Sequence, residues 1–403
     1  SLRAPGGLCD RLAGVAGRLR LVRVPTGSRT GRAPQPLRGP DFGSYSTAEV
    51  SWLLTDLSGV RLEAPTEERE EAIQAGQAHY AESLPIEFQP SAQYQSLFRQ
   101  ALAESAAELA QAVGTVTELV LAERGRDVVL VSLARAGTPI GILMRRWAEQ
   151  VHGLRLPHYT MSIVRGRGID TVALRYLTEH HDSTKVVFVD GWTGKGAIAR
   201  ELAVAIEAAN QVLGSAFSSE LAVLADTGSC VRTFGTRKDY LIASACLNST
   251  VSGLVSRTVL NDRLIGPDQF HGAKFYAELS GVDVSNEFLD AVSAQFDEVC
   301  DEVRSAEPVQ DRDPTWAGWR AVAELSARYG INDVNLVKPG VGETTRVLLR
   351  RVPWKILMRR DAAAGLGHLR LLAAQRGVAV ELVDELAYSC VGLIRPGFSR
   401  DAR

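Results

Sequence analysis

Cysteine is scarce in this sequence and shows no organisation. Cys9, Cys230, Cys246, Cys300 and Cys390 are widely scattered, odd in number and without CxxC spacing. That excludes a disulfide framework or a zinc ribbon as the basis of the fold, and no metal cage is expected. Such usage suits a reducing compartment, so a cytoplasmic location is expected. No apolar run approaches the roughly 20 residues of a membrane span, and no membrane contact is expected. Net charge is nearly absent too: 45 Lys and Arg against 47 Asp and Glu leave −2, so any contact with nucleic acid must be local. The glycine-rich turn at 191–196 has neither GxxxxGK[ST] nor GxGxxG spacing, which removes the two commonest nucleotide signatures. No internal repeat is visible.

What remains is a globular composition, 45% apolar and 23% charged over 403 residues, enough for two or three domains. Residues 1–40 are rich in Arg, Gly and Pro and read as a mostly disordered extension. Order begins at Asp41, where DFGSYSTAEVSWLL predicts a loop, an N-cap at Ser46 or Thr47 and a helix. Residues 66–124 carry helical periodicity and form a hood. From Asp127, short apolar strands (DVVLVSLA, HYTMSIV, KVVFVD, ELAVLAD, DYLIAS) alternate with amphipathic helices. This predicts an α/β body with a doubly wound, mainly parallel sheet whose ligands lie at the strand carboxyl ends. Residues 244–310 are less regular, and SAEPVQDRDPT (305–315) reads as a linker. The organisation expected is a body at 41–304 and a small α/β/α domain at 316–403.

Three strand ends carry polar groups. In KVVFVDGWTGKGA (185–197), Asp190 ends an apolar strand where a sugar hydroxyl or a metal would be met. Trp192, Thr193, Gly194, Lys195 and Gly196 then make a turn at a helix N-terminus suited to a phosphate. In SLARAGTPIG, Arg135 with the amides of Ala136 and Gly137 suits diphosphate. In SIVRGRGID, Arg165 and Arg167 flank Gly166 as a mobile cationic lid, and Asp170 is placed to hold a water of bound Mg²⁺, the hard cation that diphosphate oxygens require. The plainer readings are unliganded turns and solvated arginines.

Between Cys246 and Gly272, the residues Asn248, Ser249, Thr250, Ser252 and Arg257 are placed to line a pocket. Cys246 and His271 are the one plausible Cys/His pair for nucleophilic catalysis, the alternative being an inert core cysteine. In NLVKPGVGETTRVLLRRVPWKILMRR a glycine-rich turn (Gly340, Gly342, Thr344) at a helix start is joined by Lys338, Arg346, Arg350, Arg351, Lys355, Arg359 and Arg360. Local basicity in a neutral protein marks a phosphodiester-binding face.

The 190–196 turn resembles the phosphoribosyl-diphosphate loop of type I phosphoribosyltransferases, with Gly191 in place of the usual second acid. From about Phe42 to Pro396 the chain resembles a bacterial family associated with stress and tellurium resistance, described as StiP cysteine proteases or phosphoribosyltransferase-like proteins. The matching stretches are GSYSTAEVSWLL, VSLARAGTPIG, VRGRGID, VFVDGWTGKG, LNSTVSGLVSR and IGPDQFHG. The stretch NLVKPGVGETTRVLLRRVPWKIL is similar to the Pelota-type RNA-binding domain, whose fold is L7Ae-like. The resemblance implies a type I phosphoribosyltransferase-like sheet with a helical hood and an L7Ae-like carboxyl-terminal domain. The activity expected is Mg²⁺-dependent transfer of ribose 5-phosphate from phosphoribosyl diphosphate to a base-like acceptor, coupled to RNA binding. Asp190, Arg135, Arg165 and Arg167 would act in catalysis. The protease name implicates Cys246 and His271 instead, and the missing second acid leaves a non-catalytic nucleotide- or RNA-sensing protein as a third reading. Homodimers are common among similar enzymes, and no interface signature is visible in this sequence.

Overall fold

The computed structural model describes residues 34–64, 79, 81–87, 89, 91–307, 311–350 and 353–394. Residues 1–33, most of the expected extension, lie outside them. An unbroken apolar run cannot face water on either side, so such runs become interior strands. Val129–Leu133 (β2), Val186–Thr193 (β4) and Leu221–Asp226 (β5) take that place, with Ser51–Trp52 (β1), His158–Met161 (β3) and Thr233–Thr236 (β6) completing a six-stranded sheet. Its order is β1-β3-β2-β4-β5-β6 and every pairing is parallel.

Side chains alternate across the sheet. Leu130, Val187, Val189, Ala222 and Leu224 join the core beneath the helices Ala92–Arg124 (α1), Gly137–His152 (α2), Ser285–Ser293 (α5) and Phe296–Ser305 (α6). Val129, Val131, Phe188, Leu221 and Val223 face the helices Thr171–His180 (α3) and Ala197–Leu213 (α4). With helices on both faces, ligands can approach only at the strand ends.

Three expected elements differ. The segment AEVSWLL makes a turn and then edge strand β1, not a helix, because Trp52, Leu53 and Leu54 are all buried and leave no polar face. DYLIAS is no strand: it runs irregularly into a short 3-10 turn, Ala243–Cys246, and the edge position goes to TFGT. Gly235 in that strand passes so close beneath α1 that a Cβ would collide with the Ala112 carbonyl oxygen. In the hood, residues 65–78 lie outside the described residues, and the helix runs only from Ala92 to Arg124.

The carboxyl-terminal unit has four strands, Val337–Pro339 (β7), Lys355–Arg359 (β8), Ala379–Val383 (β9) and Cys390–Leu393 (β10), in the order β7-β10-β8-β9. Only β8 and β9 pair in parallel. Helix Ala317–Arg328 (α7) covers one face through Val322 and Leu325. Helices Val341–Arg350 (α8) and Gly367–Gln375 (α9) cover the other. Gly342 and Thr344, expected in the turn before a helix, lie within α8 itself, with Thr344 and Thr345 fully buried. The expected linker is tied down in its described part: Arg312 pairs with Glu123, and Asp313 with Arg232.

Candidate functional site

At the carboxyl end of β4 the chain enters α4 through Thr193–Gly196, and the carboxyl-terminal unit packs against this turn. Tyr388 Oη donates to Gly194 O at 2.8 Å. Lys195 Nζ donates to Val334 O at 2.6 Å. Burial, with Lys338 and Arg165 nearby, lowers the Lys195 ammonium to about 8. Gly196 has φ +72°, and a Cβ there would lie 2.5 Å from the Trp316 ring. The Thr193 hydroxyl donates to Asp226, a fully buried carboxylate that also accepts Cys230 N at 2.8 Å and Val231 N at 3.3 Å. The turn expected to receive a phosphate is thus a seat for another part of the same chain.

Asp190 stands just before it, its Oδ1 accepting the Gly191 amide at 2.7 Å. Burial raises this carboxyl to about 7, against an opposing pull from Arg346. The Arg346 guanidinium, carried by α8, lies 4.7 Å from the Trp192 ring centroid. Its Nη1 reaches Glu343 at 3.3 Å, while its Nε is buried without a hydrogen-bond partner. Arg135 is also committed within the protein, donating to Val255 O at 3.0 Å and lying 3.6 Å from Glu87 Oε1. Glu87 in turn accepts Ser249 N at 2.9 Å and Ser249 Oγ at 2.7 Å. Ala136 and Gly137 open α2, and a Cβ on Gly137 would strike Val189 O, so the glycine permits close helix–strand packing.

The expected lid is anchored. Arg165 donates to Asn335 Oδ1 at 2.8 Å, Arg167 to Glu82 at 3.3 Å, and the Gly166 and Gly168 amides both bond Glu201 at 3.0 Å. Asp170 caps α3 through Val172 N and Ala173 N, and its other oxygen accepts His271 N at 2.6 Å. These carboxylates do not suit Mg²⁺. Asp170 already accepts three amides, and Asp190 is held near neutrality beside a guanidinium. Among the described residues no group of three His, Cys, Asp or Glu converges as a metal site.

Cys246 ends the 3-10 turn, 3% exposed, in the core against α1. His271 directs Nδ1 to Ser162 Oγ at 2.8 Å, and among the described residues its hydrogen bonds go to Ser162, Asp170 and Thr55 rather than to Cys246. Arg257 donates to Ser83 O at 2.8 Å, and Ser252 and Thr250 are buried. Two other thiols are suppressed. Burial and Asp226 push Cys230 up to about 12, and burial likewise raises Cys390. Cys300 is half-buried on α6, and Cys9 lies outside the described residues.

Of the expected RNA-binding residues, Gly340, Gly342, Thr344 and Arg346 face inward. Gly340 has φ +85° and lies against Asp239, Gly342 is packed toward Ala245, and Thr344 Oγ1 donates to Lys338 O at 3.2 Å. Lys355 is paired with Glu381 at 2.6 Å, and Arg360 with Asp384 at 2.6 Å. Arg351 and the Arg350 side chain lie outside the described residues. Sequence reasoning passed over Glu87, Asp226, Asp239 and Tyr388. Asp226 carries the same signal as Asp190, an acid ending an apolar run; the other three carry none.

A parallel α/β body closed at its strand ends by a basic, glycine-turned α/β unit defines a class: α/β proteins with an appended nucleic-acid-binding domain. Residues 316–396 match the PELOTA RNA binding domain, and the carboxyl-terminal unit is of that kind. Residues 43–293 match the family described as tellurite-like stress resistance cysteine protease StiP. The protein "Cysteine protease StiP" of Acinetobacter baylyi is 33% identical over 371 residues, 88% of this chain and 94% of the relative. The chain belongs to the StiP family. These findings overturn the expected phosphoribosyltransferase, since both family and relative carry the name of a cysteine protease. Phosphoribosyl diphosphate and a base-like acceptor lose their support with it. Among the described residues no helix is long and apolar enough to cross a membrane.

Proposed function

We propose that this chain is a cysteine peptidase that binds RNA through its carboxyl-terminal domain, with Cys246 as nucleophile. The observation that carries this reading is membership of the StiP family, together with the name of its relative. A thiolate is the nucleophile, and burial beside acids raises Cys230 and Cys390, which counts against those two thiols. His271 is the imidazole we assign to Cys246: with Nδ1–H donating to Ser162 Oγ, Nε2 is the basic nitrogen that would take the thiol proton once the two side chains are brought together. With Cys246 only 3% exposed and its neighbour Ala245 facing Gly342 of α8, the described arrangement is a latent one.

The division into a body at 41–304, a linker at 305–315 and a domain at 316–403 belongs to the same proposal. So does a type I phosphoribosyltransferase-like sheet, kept as a scaffold. The test is hydrolysis of labelled casein. Cys246→Ser should lower the rate at least about a thousandfold and His271→Gln at least about a hundredfold, while Cys300→Ser leaves it unchanged. Full activity in folded Cys246→Ser would remove Cys246 from the mechanism.

A further inference from the structure

Asp239, contributed by the body, occupies the start of α8. Its Oδ1 accepts the Val341 amide at 2.8 Å and its Oδ2 the Ser389 amide at 2.8 Å, while its backbone oxygen accepts Ser389 Oγ at 3.0 Å. A carboxylate held by the first amide of a helix and by a second amide from the loop before β10, beside the positive φ of Gly340, sits where a phosphodiester oxygen would sit. One turn further along α8, Arg346 is stacked on Trp192 of the body. That contact satisfies no N–H. Arg346 keeps one carboxylate contact, to Glu343, and its orphaned Nε leaves the planar fork half used, a fork whose shape suits phosphate.

The interface is not sealed to the density of a core. A cavity of about 440 Å³ lies between α1 and the carboxyl-terminal unit, lined by Leu97, Glu104, Tyr240, Leu366 and His368. The Tyr240 hydroxyl is buried there without a partner. An open cleft of this size with an unpartnered hydroxyl in it marks a seam packed less closely than a core, which suits a contact made to open.

From these contacts we infer that the body masks the RNA-binding face of its own carboxyl-terminal domain. Asp239 stands in for a phosphate and Trp192 holds Arg346, so RNA binds only as the two parts separate. The inference rests on the RNA-binding reading of residues 316–396. The full chain is titrated into a fluorescein-labelled RNA stem-loop carrying an internal bulge, the kind of element RNA-binding domains read. Asp239→Ala and Trp192→Ala, both outside the RNA-binding domain, should tighten binding about tenfold by removing the competing state. Hydrogen exchange on the unaltered protein supplies a readout independent of variant folding: added RNA should raise exchange in 190–196 and 239–246 of the body. Equal affinities, with no rise in exchange while RNA binds, would overturn the masking and leave RNA binding standing. No binding by any form, at low salt, would overturn the RNA-binding reading and the masking with it.

Discussion

Asp190 shows how one side chain changes meaning between sequence and structure. As the acid ending an apolar strand it suits a sugar hydroxyl, but burial raises its carboxyl to about 7, where it is only half ionised at neutral pH. An acid raised in the folded state binds a proton there that the unfolded chain, with an ordinary carboxylate near 4, has already released. Stability therefore falls as pH rises from about 4 to about 7 and levels off above. Asp190→Asn removes this slope and should stabilise the protein above pH 7 by about 2–4 kcal/mol relative to the unaltered chain. Urea unfolding of both proteins across that range reads it out, and parallel pH profiles would show that the carboxyl is solvated after all. Asp226 differs. Fully buried, it accepts Thr193, Cys230 and Val231 and fixes two loops at once, a structural duty invisible in its local sequence.

At the scale of elements, packing constraints rather than local propensity decide the exceptions. Gly235 lies in β6 where α1 presses on the sheet, and a methyl group there would meet two backbone oxygens, of Ala112 and Leu224, neither able to swing aside. Gly235→Ala should cost about 2 kcal/mol, seen as a lower urea midpoint at unchanged m-value, and an unchanged midpoint would mean that α1 is not held there. The same constraint hid β6 from sequence reasoning, since a glycine in a four-residue strand imitates a turn. The interior strands β2, β4 and β5 were legible because burial on both faces requires unbroken apolar runs. Strand β1 was not, because its apolar triplet fits the start of a helix equally well. For the site, the strand-end loops were legible as loops but their partners were not. Gly194 meets Tyr388, and Asp239 meets Val341, across long stretches of chain that carry no pairing signal.

At the scale of the whole molecule, body and carboxyl-terminal unit are joined by polar contacts and by a modest apolar seam. Trp316 N donates to Ser229 O at 2.8 Å, Tyr94 Oη to Leu349 O at 3.0 Å, and Tyr94, Leu97 and Leu241 pack against the carboxyl-terminal core. Each unit also has a core of its own, so cooperativity between them depends on this seam rather than on a shared interior. Interfaces of this kind couple melting only while their hydrogen bonds hold. Scanning calorimetry of the unaltered chain should therefore give one transition for both units. Combining Asp239→Ala with Tyr388→Phe, which together remove the carboxylate at α8 and the hydroxyl on Gly194, should split it, the smaller unit melting first because it buries less apolar surface per residue. Two resolved transitions in the unaltered chain would mean that the units melt independently and that the seam does not couple them.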